Sequence, residues 1–319
     1  MKIENQQIIK ALSGAVNVME RSEWISFSRF SKAQLDYFEQ NERQKLHAKA
    51  DSGMKIDFYT DSTTLKFKYI PYLGSQSVEC FLDVYVDGIM KFHVGNNPIQ
   101  YEEQKVSVTL ARGKKRVTIY LPCLFGIELK DVQLDDGAMF EPAIKERKIL
   151  FLGDSITQGC NTLFPSLTYH NLLAAEWDAD ILNQGISGDV FNPEQLEPEL
   201  NFCPDTIFVA YGTNDFGRND YKERVVEAYF SKLRNIYPET MTYVLLPIWR
   251  GDLEGQEEAF DDARKSIANI CSKYKNIKVL DTIDMVPHFE EFFYDKFLHP
   301  NECGFLYYAK GILNEVNKL

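Results

Sequence analysis

The chain has 319 residues, of which 45% are hydrophobic and 26% are charged, a composition typical of a globular protein long enough for two domains. Its formal net charge at pH 7 is -12. This charge argues against nucleic acid or an anionic membrane as the main partner, because both require clustered lysine and arginine side chains. A neutral or cationic small molecule is the better expectation.

Localisation is predicted from what the sequence lacks. The first ten residues contain no apolar core of signal-peptide length, and no later segment reaches the ~20 apolar residues of a membrane span. We therefore expect a cytoplasmic protein. The six cysteines show no Cys-x-x-Cys pair and no metal-ligand spacing, so free thiols are expected rather than disulfides or a zinc site.

Residues 1–142 carry the period of half-buried strands, with apolar side chains at every second position. The alternating segments include Phe58, Phe67, Val84, Val108 and Ile119. Asp87-Gly88 and Arg112-Gly113 fall where hairpin turns are expected. We predict an antiparallel β-sandwich domain of jelly-roll-like type over residues 1–142.

Two features of this domain leave alternatives open. The polar segment Ser31–Arg43 shows no alternation and is either a short helix or a surface loop. Aromatic side chains such as Trp24 and Tyr72 could bind sugar, but packing is the commoner role of aromatic residues in β domains, and fold alone does not specify function.

Glycine, proline and charge at residues 135–143 indicate a connection to a second domain, residues 143–319. Apolar segments there alternate with stretches of helical length, which favours a doubly wound parallel sheet covered on both faces. Those segments are Ile149–Leu152, Asp180–Leu182, Thr206–Ala210, Thr242–Leu246 and Ile277–Leu280. Tyr221–Ile236 has an apolar stripe at helical spacing and is predicted to pack on this sheet.

The first of these strands ends at Gly153-Asp154-Ser155. A serine at the carboxyl end of a parallel strand lies where such sheets bind ligands, and a helix starting beside it directs N–H groups toward a developing negative charge. Ser155 is therefore the candidate nucleophile. An Asp-Ser pair at this junction is also an ordinary helix N-cap, and the motif alone would favour capping.

Three further polar segments accompany it in chain order: Asn183–Asp189, Gly212–Asp215 and Asp295–Asn301. The first two follow predicted strands, so they can converge with Ser155 along one edge of the sheet. Together the four segments resemble the blocks of the GDSL/SGNH hydrolase superfamily. The resemblance covers the chain from residue 148 onward, and the β-rich first domain resembles the N-terminal sandwich of two-domain members, including some carbohydrate esterases.

The resemblance implies a flavodoxin-like fold and a serine esterase mechanism without a cofactor. It assigns Ser155 as nucleophile and His299 as general base. It also assigns the oxyanion hole to the Ser155 N–H, the Gly188 N–H and the Asn214 side-chain amide. The other four histidines are expected to be surface or packing residues.

The carboxylate of the triad is where this sequence departs from the family. The usual position, three residues before the histidine, is occupied by Lys296. Asp295 is the expected substitute, and a Ser-His dyad oriented by a backbone carbonyl is the alternative, since triads are recognised by geometry. Trp249 and Arg250 follow the fourth strand and are candidates to line the substrate pocket, with a surface ion pair an equal possibility for Arg250.

The expected function is hydrolysis of a short acyl ester, acetyl in the first instance, on an oligosaccharide or related small molecule. The alternatives are a carbohydrate-binding protein with a degenerate hydrolase domain, and a lipase or thioesterase. No cofactor is expected, since the sequence has neither Gly-x-Gly-x-x-Gly after the first strand nor a Walker motif. The sequence does not indicate an oligomeric state.

Overall fold

Two antiparallel sheets form the first part of the computed structural model, which describes residues 1–216 and 223–318. The strands in chain order are β1 (Leu12–Ser13), β2 (Asn17–Arg21), β3 (Trp24–Ser28), β4 (Lys55–Thr60), β5 (Thr64–Leu73), β6 (Cys80–Val86), β7 (Ile89–Asn96), β8 (Gln104–Thr109), β9 (Lys115–Tyr120), β10 (Phe125–Gln133) and β11 (Glu141–Pro142). One sheet has the order β1-β4-β9-β6-β7, with β11 paired to β4, and the other has the order β2-β3-β10-β5-β8.

A shared hydrophobic core holds the two sheets together, which confirms the predicted sandwich. The alternation in β5 shows why: Leu65 and Phe67 are buried while Lys66 between them is exposed. Phe58 and Val84 of the other sheet belong to the same buried cluster. Burial of these apolar side chains is the main favourable contribution to the stability of this part of the chain.

Of the two predicted hairpin turns, one is confirmed and one is wrong. Asp87 and Gly88 both have positive φ and connect the paired strands β6 and β7. Arg112-Gly113 instead carries the chain between the sheets, since β8 pairs with β5 and β9 pairs with β4 and β6. The residues of a turn indicate a reversal of direction but not which strand the chain pairs with next.

The first part also contains three helices, and two of them include residues of the segment Ser31–Arg43. They are α1 (Asn5–Ala11), α2 (Lys32–Phe38) and α3 (Glu42–His47). Ser31 begins α2 with a capping box, because its hydroxyl accepts from the Gln34 N–H and the Gln34 side chain accepts from the Ser31 N–H. The segment is therefore mainly helical. Trp24 lies under the Lys130 ammonium and Tyr72 packs against Gly126, which are packing contacts, and a role of either residue in binding sugar stays a prediction.

The second part is a five-stranded parallel sheet, which confirms the predicted fold class. Its strands are β12 (Lys148–Gly153), β13 (Asp180–Gly185), β14 (Thr206–Ala210), β15 (Met241–Leu245) and β16 (Ile277–Leu280). Its order β13-β12-β14-β15-β16 is the flavodoxin-like order. The helices are α4 (Ser155–Gln158), α5 (Tyr169–Glu176), α6 (Glu223–Ile236), α7 (Glu257–Cys271) and α8 (Glu302–Val316), with 3-10 turns at Pro165–Leu167, Pro193–Gln195 and Glu290–Phe292.

The predicted helix Tyr221–Ile236 corresponds to α6, while its first two residues lie outside the described part of the chain. Val226, Tyr229 and Leu233 of its apolar stripe are buried against the sheet. No helix among the described residues is long and apolar enough to span a membrane. Because β11 still pairs with β4 and the parallel sheet begins at Lys148, we propose the division into domains between residues 142 and 143.

All six cysteines are free thiols, and three of them lie together where the two parts meet. Cys80 and Cys123 come from the first part and Cys160 from the second, and all three are buried. Burial raises the pKa of the Cys123 and Cys160 thiols to about 12.

Candidate active site

Ser155 is the first residue of the short helix α4, which follows β12 directly. Asp154 caps the helix, because its carboxylate accepts a hydrogen bond of 3.0 Å from the Ile156 N–H. Since Asp154 supplies the cap, the Ser155 hydroxyl is not required for that role. The serine side chain is 3% exposed.

The ends of two neighbouring strands leave room for α4 only because they are glycines. Gly153 of β12 is paired with Gly185 of β13. A β carbon on Gly185 would lie 2.5 Å from the Gln158 nitrogen, and one on Gly153 would lie 2.1 Å from the Thr157 hydroxyl oxygen. The missing side chains let the helix that carries Ser155 lie directly on the edge of the sheet.

The structure brings Ser155, His299 and Asp295 together. His299 Nε2 lies 2.8 Å from Ser155 Oγ, and His299 Nδ1 lies 2.6 Å from Asp295 Oδ2. With the proton on Nδ1 donated to the carboxylate, Nε2 accepts the serine O–H. This is the arrangement of nucleophile, base and orienting carboxylate that serine hydrolases use.

A residue in the left-handed backbone conformation accommodates the unusual spacing between Asp295 and His299. Lys296, at the position where the family has its carboxylate, has a φ of 74°. Asp295 Oδ1 accepts from the N–H groups of Leu298 (2.9 Å) and His299 (3.0 Å), so the loop folds back over the carboxylate. Burial raises the pKa of Asp295, but the hydrogen bonds from His299 and from these backbone groups outweigh it and bring that pKa to about 2. This geometry favours Asp295 over a dyad, although the catalytic roles stay predictions.

The predicted oxyanion donors also converge on this edge. Among the described residues, neither the Ser155 N–H nor the Gly188 N–H has an acceptor, so both are available to a substrate. The neighbouring Ser187 N–H is held by the Gln158 side chain at 2.7 Å. The Asn214 side-chain amide donates to the Asp189 carbonyl at 2.9 Å, which orients the amide and leaves its second hydrogen available.

Trp249 and Arg250 lie outside the pocket beside His299. Trp249 stacks on His288 with ring centroids 5.2 Å apart. Arg250 forms an ion pair with Asp252 (2.6 Å), which is the alternative role that the sequence left open for it. Arg250 also donates to the Thr213 carbonyl at 2.6 Å, next to Asn214. Their role in binding substrate stays a prediction.

A cavity of about 400 Å³ opens beside His299 between the two parts of the chain. The first part contributes His47, Ser75, Gln76, Ser77, Val78, Glu79 and Leu124, and the second contributes Cys160, Asn161, Ser187, Tyr294 and His299. Most of the lining residues have polar side chains, which can form hydrogen bonds with a hydroxylated molecule.

His47 belongs to this cavity although the sequence analysis assigned it no role. Burial, with smaller contributions from Arg29 and Arg43, lowers the pKa of His47 to about 4, so its imidazole is neutral at pH 7. No motif surrounds His47, and its position becomes apparent only when α3 packs on the second part.

Arg29 is a second residue near the site that has no signal in the sequence. Its side chain is fully buried and donates from Nη1 to the carbonyls of Asn183 (2.6 Å) and Gly185 (3.0 Å). It also donates to the carbonyls of Ala50 (2.7 Å) and His47 (3.1 Å). Arg29 therefore ties the first part to the end of β13, immediately before the loop that carries Gly188.

A model of the GDSL-like lipase/acylhydrolase family matches residues 151–305, which include Ser155, Gly188, Asn214 and His299. This part of the chain belongs to that family. The protein is an ester hydrolase of the SGNH type. No curated protein matches it by sequence.

Several solved structures share the fold of this SGNH hydrolase. The salicylyl-acyltransferase SsfX3 of a tetracycline biosynthetic pathway superposes with a TM-score of 0.83 at 22% identity, covering 97% of this chain and 94% of its own. A GDSL-like lipase from Bacteroides ovatus gives 0.78 at 19% identity, over 100% and 97%. A family two carbohydrate esterase from Clostridium thermocellum, solved with cellohexaose, gives 0.61 at 17% identity, over 84% and 92%. At these identities the likeness concerns the fold.

Proposed function

We propose that this hydrolase removes a short acyl group from a carbohydrate or related polyhydroxylated molecule, and acetyl is the leading candidate for that group. The observation that carries the proposal is the chain of hydrogen bonds from Ser155 through His299 to Asp295, with His299 lining a cavity that polar side chains also line. The same geometry argues against a degenerate site.

The chemistry follows from the positions of these side chains. Ser155 Oγ attacks the acyl carbon while His299 Nε2 takes its proton, and Asp295 stabilises the imidazolium that forms. The N–H groups of Ser155 and Gly188 and the Asn214 amide would donate to the oxyanion of the tetrahedral intermediate. His299 then protonates the alcohol oxygen as its bond to the acyl carbon breaks. Water that His299 activates attacks the acyl-enzyme, which frees the carboxylic acid and returns the proton to Ser155 Oγ.

The cavity beside His299 supports a hydroxylated leaving group. General-acid catalysis by His299 requires the leaving alcohol to lie on its side of the site. Ser75, Ser77 and Glu79 line the cavity there, and hydroxyl and carboxylate groups of this kind can exchange hydrogen bonds with sugar hydroxyls. Carbohydrate esterases and an acetyl xylan esterase among the structures of similar fold add support for this substrate class.

The test is turnover of p-nitrophenyl acetate by the wild-type protein, Ser155→Ala and Asp295→Asn. We expect Ser155→Ala to lose at least about 10⁴-fold in kcat, and Asp295→Asn about 10²- to 10⁴-fold, because the asparagine holds the imidazole in the wrong tautomer. A fluorophosphonate probe should label the wild type stoichiometrically at Ser155. Wild-type turnover by Ser155→Ala would exclude this nucleophile.

The substrate is identified with a panel of acetylated mono- and oligosaccharides beside butyryl and longer-chain esters and thioesters. We expect acetylated sugars to give the highest kcat/KM. Preference for long acyl chains would instead indicate a lipase or thioesterase. Glycan binding without fluorophosphonate labelling would indicate a binding protein.

A further inference from the structure

Arg43 of the first part lies directly against the glycine of the predicted oxyanion loop. A β carbon on Gly188 would lie 2.2 Å from Arg43 Nη1 and 3.1 Å from its Cζ. Gly188 has a φ of 74°, a conformation that favours glycine over any residue with a side chain. The guanidinium therefore occupies the position that a side chain at residue 188 would take.

Within the described part of the chain, the exposed Arg43 side chain forms no ion pair. In residues 1–216 and 223–318, no carboxylate lies within ion-pair distance of the guanidinium and no group accepts a hydrogen bond from it. Lys45, two residues further along α3, is paired with Glu39 at 2.7 Å. Arg250, beside the other oxyanion loop, is paired with Asp252. An arginine that presents five donors and a charge without a partner is suited to bind a planar anion.

A second cavity, of about 540 Å³, contains this guanidinium. Tyr37, Asn41 and Gln44 line it from the first part, and Gly188 and Asn192 from the second. It shares Ser187 with the cavity beside His299, so the two cavities lie on either side of the oxyanion loop. Asp189 also lines it, but Asp189 Oδ1 already accepts from the Gln44 and Gln195 amides at 3.0 Å each.

We propose that this second cavity is a subsite for a carboxylate on the ester substrate, bound by Arg43. The proposal rests on the esterase function of the same site and adds the charge of the substrate. The carboxylate is either on the acyl part, as in a dicarboxylic half-ester, or on the alcohol part, as in an acetylated uronic acid. Glu42 also lines the cavity and opposes an anion there, which gives the subsite a second residue that can be tested.

The experiment compares three phenyl esters on the full-length protein: phenyl acetate, phenyl hydrogen succinate with a carboxylate on the acyl part, and 2-carboxyphenyl acetate with a carboxylate on the alcohol part. The readout is kcat/KM for each carboxylated ester divided by kcat/KM for phenyl acetate. This ratio cancels any effect of a substitution on the oxyanion loop itself. The ester that responds identifies the part of the substrate that carries the anion.

We expect Arg43→Gln to lower the ratio about tenfold for one of the two carboxylated esters, the loss typical of a charge-assisted hydrogen bond. Glu42→Gln, which does not remove the arginine, should raise the same ratio. Lys45→Gln is the matched control, because it removes a positive charge from the same helix outside the cavity, and it should keep the wild-type ratio.

Equal ratios in the wild type and Arg43→Gln, or an equal fall in Lys45→Gln, would overturn the subsite while leaving the esterase proposal in place. A wild type that hydrolyses none of the three esters would overturn the esterase proposal and the subsite together.

Discussion

Two carboxylates near Ser155 show how strongly the surroundings of a residue decide its charge. Burial raises the pKa of Asp154 to about 7, helped by Asp215 and Asp189 and opposed by the Ile156 N–H and Arg250. The pKa of Asp295 is lowered to about 2 by hydrogen bonds from the His299 side chain and from the backbone N–H groups of its loop. Asp295 therefore stays ionised as the partner of His299 at all ordinary pH values, whereas Asp154 changes protonation near neutrality.

The raised pKa of Asp154 predicts a pH-dependent stability. Its folded pKa lies above its unfolded value, so the stability contributed by the protonated carboxyl is present below about pH 4 and is lost as the pH rises through about 7. Asp154→Asn removes this dependence while keeping a residue that can cap α4. The free energy of unfolding of the variant relative to wild type should increase by about 2 kcal/mol between pH 5 and pH 8.

Urea unfolding of both proteins across this pH range measures that difference. A difference that stays constant from pH 5 to pH 8 would show that Asp154 does not titrate there. Ser187→Ala, a neighbouring substitution without a titratable group, serves as the control for nonspecific effects of a change near the site.

At the scale of elements, the contact between α4 and the ends of β12 and β13 sets the position of Ser155. The helix has only four residues and cannot be stable by itself, so the sheet beneath it must hold it in place. A β carbon on Gly185 would meet the Gln158 nitrogen and the Thr157 carbonyl carbon, which are backbone atoms and cannot rotate away.

Gly185→Ala is therefore expected to displace α4 and to lower both stability, by about 2 kcal/mol or more, and kcat. Gly137→Ala is the control, since a β carbon there meets nothing within 4 Å and only the cost of its positive φ, about 1 kcal/mol, applies. Urea unfolding and p-nitrophenyl acetate turnover measure the two effects. Equal losses of stability in the two variants, with kcat unchanged in Gly185→Ala, would contradict the packing argument.

The elements also show what sequence can and cannot predict. Continuous apolar runs and strict alternation identified the parallel strands and the core strands of the sandwich, because burial on two faces or on one leaves those patterns directly in the sequence. The prediction that Arg112-Gly113 forms a hairpin turn was wrong, because which strands pair depends on the whole sheet and not on the turn residues. Motif order pointed to Ser155 and His299, but His47 and Arg29 have no local signal, because their roles arise from contacts between distant segments.

For the whole molecule, the first part is a structural component of the site. Arg29 binds four carbonyl oxygens, two of them in β13, and the Ser52 hydroxyl donates to the Gln158 carbonyl at 2.6 Å. Asn183 in turn donates to Ser52 Oγ at 2.9 Å. The edge of the parallel sheet that carries Ser155 and Gly188 is thus held from the side of the β-sandwich.

Arg29→Met should keep much of the buried volume but leave these carbonyls without a donor. Unsatisfied buried acceptors cost about 1–3 kcal/mol each, so we expect a loss of at least about 3 kcal/mol in unfolding free energy and a lower kcat/KM. Arg21→Met, an exposed arginine on β2, is the control and should change stability by less than about 0.5 kcal/mol. Equal stabilities of the two variants in urea unfolding would refute this role.

The cluster of Cys80, Cys123 and Cys160 has a practical consequence. Because these thiols are buried where the halves meet, while Cys203 and Cys303 are exposed, an alkylating reagent should modify the native protein in well-separated kinetic phases. The fast phase measures the exposed thiols, and slow incorporation at Cys80 and Cys123, which line neither cavity, measures transient separation of the two parts of the chain. The alkylation rate of these native cysteines therefore measures how often the two parts separate, and mass spectrometry can follow it without an introduced label.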